Sequence, residues 1–258
     1  MDNYFVSSCK RVKDWICRQF GQKEKKTVHH KKFADGGEVI VWETGRAGEE
    51  AASYENLFLR KEIAGFRTNI RREQSCSIKS LTRDYLYKQL LSSGEYTFDH
   101  MLVIKDPYGE APLTALALFI LEEPACVRVT TKGNLKETDF VTELPKKKEH
   151  RVPILGMYAE KANDIVIEIL DDEGNCVKSH TFTIRTKRLP KSLRNVITVK
   201  KWTDKPAYSN IMINGGVKIH TCVFDIEGEI RYYLSRKPRG YGIFPLSDGH
   251  FFYMEKYI

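Results

Sequence analysis

The run from Leu113 to Leu121 limits the fold more than any other stretch, because it is almost unbroken in its apolar character and sits between Pro112 and Pro124. At about nine residues it is short for a buried helix, and the flanking prolines remove backbone donors, so it predicts a strand buried on both faces. A break at Glu122-Glu123-Pro124 follows, and then an alternating run from Cys126 to Thr131 that predicts a strand buried on one face. The two runs together predict a hairpin.

From Tyr96 onward the pattern remains that of strands. Thr97 to Ile104, Phe140 to Leu144, His150 to Leu155, Asp164 to Leu170 and Cys176 to Arg185 are further strand candidates, with a Lys146-Lys147-Lys148 loop separating the second from the third. Roughly seven short strands with a turn signal near every ten residues describe an immunoglobulin-like β-sandwich over 95–190. The acidic segment Asp171-Asp172-Glu173-Gly174-Asn175 misses the calcium-loop spacing and falls where a hairpin needs its turn, so no metal is expected there.

Residues 1–94 read as a basic extension with helices. Tyr4, Val12, Trp15, Ile16 and Phe20 lie near one side of a helix over 3–20, whose aromatic face is expected to dock on the protein rather than on an anionic membrane. The Lys-rich segment Gln22 to Lys32 reads as a solvated linker. Its neighbours His29 and His30 point to different sides and make a poor metal pair. Glu38 to Glu43 predicts a short strand, and helices are expected over 49–65 and from Ser80 to Leu91, packed on the β-domain.

After Leu189-Pro190 comes a polar connector over 191–210 with Trp202 and Pro206. Four strands are expected beyond it, Gly216 to Asp225, Glu229 to Leu234, Tyr241 to Leu246 and His250 to Tyr257, with turns at Glu227-Gly228 and Asp248-Gly249. Four antiparallel strands are the content of one propeller blade. A single unit shows no internal repeat, so the pattern alone does not distinguish a blade from any other meander.

The net charge is +8, yet lysines and arginines alternate with 34 acidic residues, and no basic stripe or RNA-binding motif accompanies them, so nucleic acid is not an expected partner. The aromatic and basic run from Arg231 to Tyr241 reads as a strand and its loop rather than as a single-strand binding platform. Cys9, Cys17, Cys76, Cys126, Cys176 and Cys222 are widely spaced without metal-site patterns and read as reduced. Residues 1–20 lack the apolar core of a secretory signal and no stretch approaches the ~20 apolar residues of a membrane span, so a cytoplasmic protein is expected. No phosphate loop, nucleophile elbow or zinc-protease motif occurs, and Gly240-Tyr241-Gly242 is too short to cradle a phosphate.

Several segments carry a family resemblance. "DPYGEAPLTALALF", "EEPACVRVTTKG" and "HRVPILGMYAEKANDIVIEILDDEGNCVKSHTFTIRTKRLP" resemble the N-terminal β-domain of bacterial arylsulfate sulfotransferases, and "FDIEGEIRYYL" and "GYGIFPLSDGHFF" resemble the opening strands of that family's β-propeller. The resemblance covers roughly 95–258. It implies a mainly β chain in which 211–258 is the first blade of a propeller, here cut short. For the full-length family it implies transfer of a sulfuryl group from a phenolic sulfate ester to a phenol acceptor through a histidine intermediate, without a cofactor and in some members as a homodimer.

The family's catalytic His-His-Asp signature has no counterpart in this sequence. Neither His220 nor His250 matches it, so both read as structural or solvated, and no catalytic, cofactor-binding or metal residue is assigned. The expectation is a chain inactive by itself. The alternative is a stand-alone β-sandwich that serves interaction or dimerisation.

Overall fold

The computed structural model describes residues 28–33, 36–63, 72–200, 210–213, 220–235, 243–245 and 251–253. The helix expected over 3–20, the start of the Lys-rich segment, Trp202, Pro206, Gly240-Tyr241-Gly242 and His250 lie outside them.

The described chain is mainly β, with two long helices inserted early. Strand β1 (Val28–Lys32) turns into β2 (Glu38–Trp42); helices α1 (Thr44–Ile63) and α2 (Arg72–Ser92) follow; then come β3 (His100–Lys105), β4 (Ala115–Thr131), β5 (Phe140–Ile154), β6 (Ala162–Leu170) and β7 (Cys176–Arg185). These strands form one sheet in the order β1-β2-β3-β4-β6-β7, with β5 on the other side of β4. β2 and β3 run parallel, which requires a crossover between them, and the helix pair supplies it.

Two expectations are corrected by β4 and β5. The apolar run and the alternating run are not the arms of a hairpin but the two halves of the single strand β4, and the strand expected from Phe140 to Leu144 continues through the lysines to Ile154. Both halves of β4 stay paired with β5, and the register slips only between Ile120 and Val127. Pro124 lacks a donor and interrupts the ladder locally, but a bulge absorbs the interruption and the chain does not reverse. Each half of β4 has a different neighbour on its far side: Ala115 to Leu118 pair with β3, and Cys126 to Thr131 pair with β6.

The bent pair therefore carries two half-sheets that face each other. Between them lies one core, with Val39, Met101, Val103, Ala117 and Phe119 from the first half and Val127, Val129, Ile165, Ile167 and Phe182 from the second. The outer face of the first half is covered by the helices, where Ile40, Trp42, Leu102, Ile104, Leu116 and Leu118 pack on Ala47, Ala51, Leu86, Tyr87 and Leu91. Burial on both faces, expected for the first half of β4, arises from this three-layer packing.

The end of the Lys-rich segment is a strand rather than a linker. β1 pairs with β2 along its length, and its far edge meets β7, where the Lys31 ammonium donates to the Thr183 carbonyl. Beside it the Phe33 ring stacks on His180, centroids 4.0 Å apart. The sheet is thereby nearly closed on itself. Both helices begin earlier than expected, at Thr44 and Arg72, because polar first turns give no apolar period to mark their onset.

Beyond the sandwich, β8 (Asn210–Ile213), β9 (Cys222–Asp225) and β10 (Ile230–Tyr233) form a three-stranded sheet, and β11 (Ile243–Pro245) pairs with β12 (Phe251–Tyr253). The connector expected over 191–210 thus ends in a strand. Cys222, Phe224, Ile230 and Tyr233 join the sandwich core, so the β9–β10 hairpin is packed against the domain that precedes it.

Candidate functional site

The most concentrated polar chemistry among the described residues lies where that hairpin meets the sandwich. Arg231 is 1 % exposed and Asp225 is fully buried. The hairpin turn fixes Asp225 first: its Oδ1 accepts the backbone N–H groups of Glu227 and Glu229 at 3.0 and 3.1 Å, while Gly228 takes the positive φ of 84° that the turn requires. The other carboxylate oxygen is left to face Arg231, 3.0 Å away.

The guanidinium reaches across into the sandwich. Its Nε donates to the Gly156 carbonyl at 2.7 Å, and Nη1 lies 2.8 Å from the Thr138 carbonyl and 3.0 Å from the Tyr158 hydroxyl. The Tyr158 ring sits 3.9 Å from the guanidinium carbon, and Tyr158 Oη also donates to Asp225 at 3.2 Å. Burial pushes the Tyr158 phenol above its usual range, so it stays a neutral donor.

Asn163 holds Tyr158 in place, its Oδ1 accepting the Tyr158 N–H at 2.7 Å and its Nδ2 donating to the Tyr158 carbonyl at 3.0 Å. A second arm comes from the loop before β5, where the Asn134 N–H donates to Tyr158 Oη at 2.9 Å and Asn134 Nδ2 reaches Glu227 at 3.2 Å. Arg231 therefore ties three segments, 133–139, 156–158 and 225–231, into one unit. A planar cation with donors on both sides suits this task. Its Nη2 has no partner among the described residues, a cost the other bonds offset.

This cluster can hold and orient; it offers no accessible nucleophile. The histidines confirm that pattern. His220 is buried with Nδ1 2.8 Å from the Leu234 carbonyl. His150 lies against Phe119 with Nε2 2.8 Å from the Lys147 carbonyl, and burial lowers its proton affinity. His180 is stacked between Phe33 and Phe98 and bonded to Asp99 at 2.8 Å. His29 lies 3.7 Å from Glu43, and His30 and His100 both approach Glu38, at 3.9 and 2.9 Å.

The acidic segment after β6 is a turn, as expected. Asp171 Oδ1 accepts the N–H groups of Glu173 and Asn175, and the Asn175 side chain holds the carboxyl below its usual range. Cys126, Cys176 and Cys222 are free thiols, and burial raises the proton affinity of Cys222.

Reading the sequence missed the clamp. Arg231 stood within a basic, aromatic run that reads as an ordinary strand and loop. The available signal was an arginine flanked by Ile230 and Tyr232 with an aspartate across the same hairpin, an arrangement that places opposite charges within cross-strand reach.

A second feature is a groove of about 720 Å³ at the bulge of β4, with Phe98, Ile120, Leu170 and Val177 in its lining. It shares no residue with the clamp.

Residues 102–187 match the family model for the arylsulfotransferase Ig-like domain. No curated protein matches the chain. The matched span runs from β3 through β7 and contains the Tyr158 and Thr138 arms of the clamp. The match supports an arylsulfotransferase assignment for this part of the chain, residues 102–187, as an Ig-like domain.

Proposed function

We propose that this chain is the supporting part of an arylsulfate sulfotransferase, in which the Ig-like domain holds the first strands of the catalytic β-propeller in place. The observation that carries the reading is the Arg231 clamp, which joins the matched domain to the hairpin directly beyond it. In this reading β8 to β12 belong to a blade, and the full-length enzyme moves a sulfuryl group from a phenolic sulfate to a phenol through a histidine.

The 258-residue chain by itself is expected to be inactive. Sulfuryl transfer needs an accessible imidazole facing cations or N–H donors that can bear the spreading charge. Among the described residues the buried histidines are committed to backbone carbonyls or to Asp99, and the clamp is sealed. The test is transfer from 4-nitrophenyl sulfate to a phenol acceptor by the purified chain. No turnover is expected, and sustained release of 4-nitrophenol dependent on the acceptor would overturn this reading.

A further inference from the structure

We propose that the groove at the β4 bulge binds an extended, lysine- or arginine-bearing peptide segment. This inference is independent of the sulfotransferase reading. It starts from a gap in the sheet. On the side of β4 away from β5, β3 pairs only as far as Leu118 and β6 begins only at Cys126. Between them the Ile120 N–H is taken by the Tyr96 carbonyl, and Thr97 forms a lone bridge to Ile120.

On the β5 side the ladder skips from Ile120 to Ala125. Leu121, Glu122, Glu123 and Pro124 thus have no ladder partner on either side among the described residues. At ~3.3 Å per residue, these four positions leave roughly 13 Å of strand backbone unladdered, the span of about four residues of an added strand.

That backbone lines a groove with an apolar part, to which Phe98, Ile120, Leu170 and the 67 % exposed Val177 contribute. A bulky apolar side chain of the bound segment fits there. The rim sets the charge of the occupant. Lys146 is bound to Asp172 at 2.5 Å and Lys178 to Asp99 at 2.6 Å, so both lysines are already neutralised. Glu122 and Glu123 are exposed and have no ion-pair partner among the described residues. A basic segment would supply the missing partners, while an acidic peptide would meet uncompensated carboxylates.

The test uses the full chain and a fluorescein-labelled seven-residue peptide in which lysine alternates with valine and tryptophan. Fluorescence anisotropy should show saturable one-to-one binding. The pair Glu122→Lys with Glu123→Lys should weaken it at least tenfold, and a peptide with glutamate in place of lysine should not bind. Hydrogen exchange supplies the second arm: the peptide should slow exchange at Leu121, Glu122 and Glu123 and leave the edge of β1 unchanged. Absence of saturation, equal binding of the acidic peptide, indifference to the double substitution, or protection confined to other strands would each overturn the proposal.

Discussion

Arg231 and Asp225 are both out of contact with solvent, so each depends on the other to offset the loss of hydration. Removing one partner strands the other. Arg231→Ala is expected to destabilise the protein by about 3–5 kcal/mol, since it leaves a buried carboxylate with only neutral donors, two backbone N–H groups and the Tyr158 hydroxyl. The paired change Arg231→Met with Asp225→Leu removes both charges and is expected to recover most of that loss, because well-packed apolar replacements of a buried pair often come out near neutral. Urea unfolding of the three variants checks both statements.

A different residue contributes to the acid side of the stability profile. The buried His150 ring lies 2.8 Å from a backbone carbonyl, and burial holds its proton affinity below the ordinary value of ~6.5. Below that value the unfolded chain takes up a proton that the folded ring resists. Its contribution is therefore fully present above pH ~6.5, declines as pH falls toward the lowered folded value, and then levels off. The urea midpoint should fall over this window in the wild type and fall less in His150→Phe.

At the scale of elements, the strands of 95–190 were largely legible and their continuity was not. Asp164 to Leu170 and Cys176 to Arg185 alternate cleanly because one face of each meets the core and the other meets solvent, and the structure has them at nearly those bounds. A Glu-Glu-Pro triplet and three lysines carry the local signature of turns. Whether such segments reverse the chain or only bend it is decided by pairing with a strand distant in sequence, and here β5 keeps its hold on both halves of β4. The edge of β5 away from β4 carries Pro145, Pro153 and the lysines, the composition that keeps an open edge from pairing with other chains.

The loop after β5 is equally specific. Gly156 adopts a φ of 74°, and a Cβ there would lie 2.7 Å from the Phe140 side chain. Gly156→Ala is expected to cost about 1–3 kcal/mol from the backbone conformation alone. The Gly156 carbonyl is also a ligand of Arg231, so loosening of the β9–β10 hairpin should accompany the loss. A thermal melt reads the first effect and limited proteolysis within 225–231 the second.

At the scale of the whole molecule, a bent sheet carries helices on one side and a hairpin on another, and each attachment has its own chemistry. The helix pair is held by an apolar layer from Trp42 to Leu118, which amphipathic spacing could announce. The hairpin is held by Arg231 bonds to the Gly156 and Thr138 carbonyls and the Tyr158 hydroxyl, partners up to 93 residues away in the chain, which no local pattern announces. The Ig-like character was therefore open to sequence reading, and the means by which the hairpin is seated on it was not.

The account stands on the claim that β9 and β10 are clamped to the Ig-like domain as one cooperative unit. Native-state hydrogen exchange in increasing urea tests this most directly, by comparing amides of Cys222 to Tyr233 with those of Ala115 to Leu118. The account predicts that both sets exchange through the same unfolding reaction, with equal free energies and equal dependence on urea, and that Arg231→Ala splits them. Hairpin amides that exchange in the wild type through a separate low-energy opening, unchanged by Arg231→Ala, would contradict it.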